Sequence, residues 1–220
     1  MAMLDLLAAA WQYAVDHPAP FWRALGVHLS LSALALLIGA VVAIPVAVLL
    51  ARRGGIAALV GINLGNIGRT LPTLAVLALV MPLLGTGFAP SLFALSLLAL
   101  PPILLNAYAG LRGVEGEVID AAQGMGLTRR QILRQIEWPL ALPVVFAGLR
   151  TAAVQVISGA VLAAFIGGGG LGDYITTGIA MMAMPQLLVG AIPVTLLSLG
   201  ADALFGHVQR VLTPEGLKTA

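Results

Sequence analysis

Polar and apolar positions divide this chain into long stretches without a single Asp, Glu, Lys or Arg. These run Ala24–Ala51 (28 residues), Gly54–Gly68 (15), Thr70–Leu111 (42), Thr151–Gly172 (22) and Tyr174–Ala201 (28). A bilayer core accepts such stretches at ~20 residues per helix. The 42-residue stretch exceeds one span, and Gly85-Thr-Gly87 followed by Pro90 is a turn signal that divides it. Its first half then needs residues upstream of Arg69 to cross. The pattern predicts an all-α membrane protein with five spans near 25–50, 58–84, 90–111, 146–167 and 185–206.

Ahead of these spans, Leu4, Leu7, Ala8, Trp11 and Val15 recur at helical spacing, with Tyr13, Phe21 and Trp22 nearby. This predicts an interfacial helix within residues 1–23 whose rings sit at headgroup level, a sixth short span being the alternative. Asp5 interrupts the apolar stretch and the first basic residue, Arg23, follows it, an order unlike that of a secretory signal peptide.

Composition agrees. Of 220 residues 60% are hydrophobic and only 9% charged, and the mean hydropathy is +1.04. A soluble domain carries about 25% charged residues, so a soluble enzyme is excluded. The N-terminal segment 1–23, one membrane domain over 24–210 and a cytoplasmic tail over 211–220 account for the 220 residues. The absence of cysteine excludes disulfides, iron–sulfur clusters and cysteine-bound zinc. A pI near 9.5 would suggest nucleic acid. Threading five spans, however, places Arg52, Arg53, Arg112, Arg129, Arg130, Arg134, Arg210 and Lys218, eight of eleven basic residues, on one side. The positive-inside rule makes that side cytoplasmic, with the N-terminus outside and the C-terminus inside. The basic pI records topology, and no nucleic-acid partner is needed.

Two arginines fall within the spans. Arg150 lies near the start of the fourth, where its side chain is expected to snorkel to the inner headgroups. Arg69 lies fifteen residues before Leu84, which is ~22 Å along a helix, and Gly68 and Pro72 around it predict a break. For Arg69 a pathway role and a snorkelling side chain at a broken helix end both stay open. Thr70 and Thr73 in the second span, Asn106 and Tyr108 in the third, and Gln155 and Ser158 in the fourth are candidates for a polar route. Each alone is equally a hydrogen-bonding residue between helices.

The longest polar stretch, Arg112 to Pro143, is patterned. Val114, Val118, Ala121, Ala122 and Met125 share one helical face until Gly124 and Gly126 stop the helix. Thr128 with Gln131 forms a capping box for a second helix, which Pro139 is expected to end. Ile132, Leu133 and Ile136 form its apolar face and Arg129, Arg130 and Arg134 its polar one. A basic helix–Gly–helix elbow between spans reads as a docking plug or as a segment lying on anionic lipid.

Asp120-Ala121-Ala122, Gly126, and Ile136-Glu137-Trp138-Pro139 resemble the Glu-Ala-Ala coupling motif of binding-protein-dependent ABC importer permeases, with Asp for Glu and Trp for Leu at unchanged spacing. Arg69-Thr-Leu-Pro-Thr-Leu-Ala-Val-Leu, Met81-Pro-Leu-Leu-Gly-Thr-Gly, Pro102-Ile-Leu-Leu-Asn-Ala-Tyr-Ala-Gly-Leu, Ala147-Gly-Leu-Arg-Thr-Ala, Leu162-Ala-Ala-Phe-Ile-Gly and Leu212-Thr-Pro-Glu-Gly-Leu are similar to the osmoprotectant branch of that family. The resemblance spans about 24–217. It implies a type I importer permease fold in the bacterial cytoplasmic membrane, and import of glycine betaine, choline, carnitine or a related quaternary amine, methionine-type amino acids being the alternative. It also implies an extracytoplasmic solute-binding protein, a second permease subunit and a cytoplasmic ATPase dimer docked on Asp120, Ala121, Ala122, Gly126, Ile136 and Pro139. No Gly-x-x-x-x-Gly-Lys-Ser/Thr occurs, so the ATP hydrolysis that the resemblance implies is expected of another subunit, and no cofactor is expected on this chain.

Other motifs lose their meaning in context. Gly167-Gly-Gly-Gly-Leu-Gly172 matches a dinucleotide fingerprint but lacks a βαβ setting, so it reads as a loop at the outer mouth. Ser158-Gly159 with His207 lacks protease spacing, and His17, His28 and His207 lack metal-ligand spacing. Gly61 and Gly65 have the spacing of a close helix crossing. Met181, Met182 and Met184 read as packing. An ion-coupled transporter would want a titratable group inside a span, and 70–111 and 174–201 hold none; a membrane enzyme would want a nucleophile and base.

Overall fold

The computed structural model describes residues 3–213, which are helical apart from short connections and contain no strand. Helix α1 (Met3–Asp16) is followed by α2 (Pro18–Arg53), α3 (Gly55–Thr70), α4 (Thr73–Leu84), α5 (Phe88–Arg112), α6 (Gly116–Gly124) and α7 (Arg129–Ile132). A wide π turn at Leu133–Glu137 leads into α8 (Trp138–Gly159) and a tight 3-10 segment at Ala160–Ile166 closes it; α9 (Gly172–Ala180) and α10 (Met184–Leu212) complete the chain. Residues 214–220, with Lys218 and the last residues of the terminal motif, lie outside the described residues.

Among the described residues four helical runs are long and apolar enough to cross a membrane: α2, α5, Arg129–Ile166 and α10. The pair α3–α4, bent by 100°, makes a fifth if counted as one span. The bend falls where Gly68 and Pro72 predicted it. Pro72 forces Leu71 out of the helical region, to φ −71° and ψ 125°, and the hydrogen-bond ladder stops. Helix α2 begins at Pro18, where a missing N–H does no harm, so residue 23 is no structural boundary.

One expectation is reversed. Pro139 does not end a helix; it lies in the first turn of α8, and the chain stays helical from Arg129 to Ile166. The π turn just before it widens the ladder where the proline ring would meet the carbonyl of Gln135. The loop helix and the fourth span are therefore one continuous rod.

Leu31, Leu95, Ile103 and Val156 fill the core between α2, α5 and α8, interleaved with Ala35, Ala99 and Ala152. Small residues bring these helices close, as membrane packing without a hydrophobic drive between helices requires. A Cβ on Gly148 would lie 2.8 Å from the Pro102 carbonyl oxygen, and one on Gly39 would lie 2.6 Å from Ala99 Cβ. The spaced glycines of α3 act likewise, Gly61 against Leu50 and Gly65 against Leu105.

Candidate functional site

The elbow is built by local hydrogen bonding. Gly126, at φ +84°, ends α6 in a Schellman turn: its N–H donates to Gln123 O at 2.9 Å, and that of Leu127 to Ala122 O at 3.1 Å. In the capping box the Thr128 N–H donates to Gln131 Oε1 at 2.8 Å, and the Gln131 N–H donates to Thr128 Oγ1 at 3.4 Å. Of the expected apolar face, Ala122 is fully buried whereas Val118, Ala121 and Met125 are exposed, Met125 at 72%. Asp120 is exposed beside them; Ile136 and Pro139 are half-buried on the rod that follows. The chain thus leaves Val118, Ala121 and Met125 exposed on its elbow beside the Asp120 carboxylate. Arg52, Arg112, Arg129 and Glu137 surround a cavity of about 400 Å³ beneath it, so the basic residues gather at this end.

A second feature lies between α8 and α10. Arg150 has a partner that the sequence did not supply: Nε donates to Asp202 Oδ1 at 2.6 Å and Nη2 to Oδ2 at 2.5 Å, a two-bonded fork. The guanidinium lies over Gly206, where a Cβ would stand 3.2 Å from Nη1. The pair lines an open cleft of about 620 Å³ together with Thr151, Gln155, Ser158 and Gln209. Ser158 Oγ and Ser198 Oγ are 3.4 Å apart further along the same seam.

The structure therefore unites two of the route candidates, Gln155 and Ser158. Thr73 approaches their end of α8, its methyl 3.5 Å from where a Gly159 Cβ would be. Arg69 and Thr70 are exposed at the α3–α4 bend, Thr70 Oγ1 donating to Ile67 O at 2.8 Å. Asn106 donates to the Pro102 carbonyl within α5 at 2.8 Å, and Tyr108 packs with Ala107, Leu111, Ala141 and Val145; both serve helix packing away from the cleft.

At the opposite end, Gly167, Gly169 and Gly170 adopt positive φ, and a Cβ on Gly168 would overlap Ser91 Oγ. The run is a close-packed loop with no strand before it. Beneath Gly170, His28 is fully buried with Nε2 3.1 Å from the Ile157 carbonyl oxygen, which can only accept, so the proton sits on Nε2. Arg23, Asp173, Tyr174 and Gln186 line an adjacent cleft of about 500 Å³, and burial holds the Asp173 carboxyl above the ordinary carboxylate range. Met181, Met182 and Met184 are exposed here, contrary to a packing role. Helix α1 packs on this end through Ala10, Tyr174 and Val189, with Leu4, Trp11 and Val15 outward. No group of three or more potential metal ligands occurs among the described residues.

Sequence reasoning missed Asp202 and His28. Asp202 had a legible signal, an acid inside the expected fifth span with an arginine inside the fourth. His28 had none, because its partner is a backbone carbonyl.

Bent and continuous helices of membrane-spanning length, joined by a helix–Gly–helix elbow, define a multi-span membrane protein. The chain belongs to the family of binding-protein-dependent transport system inner membrane components, whose model matches residues 21–214. It is a multi-pass inner-membrane permease and not an enzyme, and the family implies an ATPase and a solute-binding protein as partners. It is 42% identical over 192 residues to the choline transport system permease protein OpuBB of Bacillus subtilis, covering 87% of this chain and 88% of that one. It is also 42% identical over 194 residues to the glycine betaine/carnitine/choline transport system permease protein OpuCB of the same organism, covering 88% of each. Among solved structures it resembles the inward-facing MetNI methionine ABC transporter, with a TM-score of 0.76 at 22% identity over 88% of this chain and 96% of that one, a likeness of fold.

Proposed function

We propose that the chain is the membrane-spanning permease subunit of an ATP-driven importer of small quaternary-amine osmoprotectants: glycine betaine, carnitine, choline or a close relative. The observation that carries this reading is 42% identity over nearly nine-tenths of the chain to permeases named for those solutes. ATP is bound and hydrolysed by a separate ATPase dimer, and the chain itself carries no cofactor. Asp120, Ala121 and Gly126 present the contact surface to that dimer, while the buried Ala122 seats the elbow helix against the rest of the chain. Small residues permit close helix approach, the carboxylate meets a polar group, and Gly126 sets the angle of the elbow. Ile136 and Pro139 sit at the root of the rod, so a push on the elbow travels into α8.

The solute path runs along the α8–α10 face, between this chain and a second permease subunit. A face carrying Arg150, Thr151, Gln155, Ser158 and Asp202 at membrane depth is costly against lipid, and a water-filled route or a partner subunit removes that cost. Orientation follows the basic elbow, with the N-terminus outside and the C-terminus in the cytoplasm.

The test is reconstitution with the cognate ATPase and binding protein, measuring ATP-dependent uptake of betaines, carnitine, choline and amino acids. Saturable uptake of a quaternary amine is expected; saturable methionine uptake without it would overturn the substrate class.

A further inference from the structure

Arg150 and Asp202 are the only charged side chains among the described residues that line the α8–α10 cleft; Thr151, Gln155, Ser158 and Gln209 are polar and neutral. Every other lining side chain is neutral, so a solute carrying charge through this cleft meets its charge partners in that pair. The pair is not sealed in packing, its side chains being 41% and 42% exposed. Gly206 presents no side chain to the guanidinium, which lies 3.2 Å from where a Cβ would stand.

We infer that the Arg150–Asp202 fork reads the charge of the solute, favouring zwitterions over pure cations by exchange of partners. This rests on the reading of the α8–α10 face as the solute path. A solute carboxylate can take the place of Asp202 on the guanidinium with the same two-bonded geometry. The cationic end of the solute then faces the released Asp202. Charge stays balanced at each step, and no lone ion is left in the membrane. A solute with a cation but no carboxylate, such as choline, can pair only with Asp202 and strands Arg150. A trimethylammonium group has no N–H, so its own contact is undirected and the carboxylate fork supplies the directional recognition.

The test uses proteoliposomes of the assembled importer supplied with saturating solute-loaded binding protein, which removes capture affinity from the comparison. Turnover of glycine betaine is set against that of choline. Arg150→Gln, which frees Asp202, is expected to raise the choline-to-betaine ratio about tenfold. Asp202→Asn, which frees Arg150, is expected to lower it, and the exchanged pair R150D/D202R to return it towards the wild-type value. A pair that merely ties two helices would slow both solutes in proportion, and an unchanged ratio in an assembled Arg150→Gln importer overturns the inference. Should that variant fail to assemble, Asp202→Asn is read in its place, with the opposite direction expected. If the wild type carries methionine and no quaternary amine, the substrate class falls by itself. The fork is then tested on methionine against its methyl ester, which lacks the carboxylate, and an unchanged ratio there is equally fatal.

Discussion

Arg150 and Asp202, 52 residues apart, close a two-bonded ion pair at matching depth in neighbouring helices. Arg150 lies four residues inside the expected start of the fourth span (146 to 150) and Asp202 four residues inside the expected end of the fifth (202 to 206). The Ser158–Ser198 contact continues the register, one helix rising as the other falls, so α8 and α10 are antiparallel along the seam.

Gly206 is the first residue to test. A Gly206→Val side chain would enter the space of the guanidinium, which lies 3.2 Å from the Cβ position. The fork should open and the purified complex melt several degrees lower, with Gly206→Ala less affected. Equal melting of G206V and wild type by differential scanning fluorimetry would show that the fork adds nothing to stability.

Gly148 tests the close approach of α5 and α8. A methyl there would stand 2.7 Å from Asn106 Cβ and 2.8 Å from Pro102 O. Gly148→Ala should destabilise by about 1–3 kcal/mol and Gly148→Leu should prevent assembly. Thermal melting and gel filtration of the detergent-solubilised protein measure both.

At the elbow, Gly126 at φ +84° tolerates no branched side chain without strain of about 1–2 kcal/mol. Gly126→Val and Asp120→Arg should both insert normally into the membrane yet lose ATP-driven uptake, with ATP hydrolysis no longer tied to the presence of solute. Uptake and ATPase co-purification that both match the wild type would remove the coupling role assigned to this turn.

His28 ties α2 to α8 through the Ile157 carbonyl. Replacing it with Ala leaves that carbonyl without a side-chain partner inside the packed helix ends, a loss of about 1–3 kcal/mol. Unfolding midpoints in denaturant should fall accordingly, and more than for His17→Ala, an exposed histidine whose ring contacts Tyr13 in the preceding turn.

The spans, the basic elbow and the bend at Arg69 were legible because each depends on local chemistry. Absence of charge marks bilayer-compatible stretches, Pro72 denies the helix its next residue, and Thr128 with Gln131 caps a helix from three residues away. Pro139 misled for an equally local reason: proline normally ends a helix, and the π turn that absorbs it has no recognisable signature in Leu133–Glu137.

The origin of the difference is range. Hydropathy, caps and turn glycines act within a few residues, so the order of the residues was enough to establish a charge-poor membrane chain with one charged elbow. Which side chains meet across helices depends on rotation and depth, set by glycine and alanine contacts spread over the whole chain. Those contacts gave Arg150 a partner in Asp202. They also put Gln155 and Ser158 in one cleft, withdrew Asn106 and Tyr108 into packing, and gave His28 a partner 129 residues away.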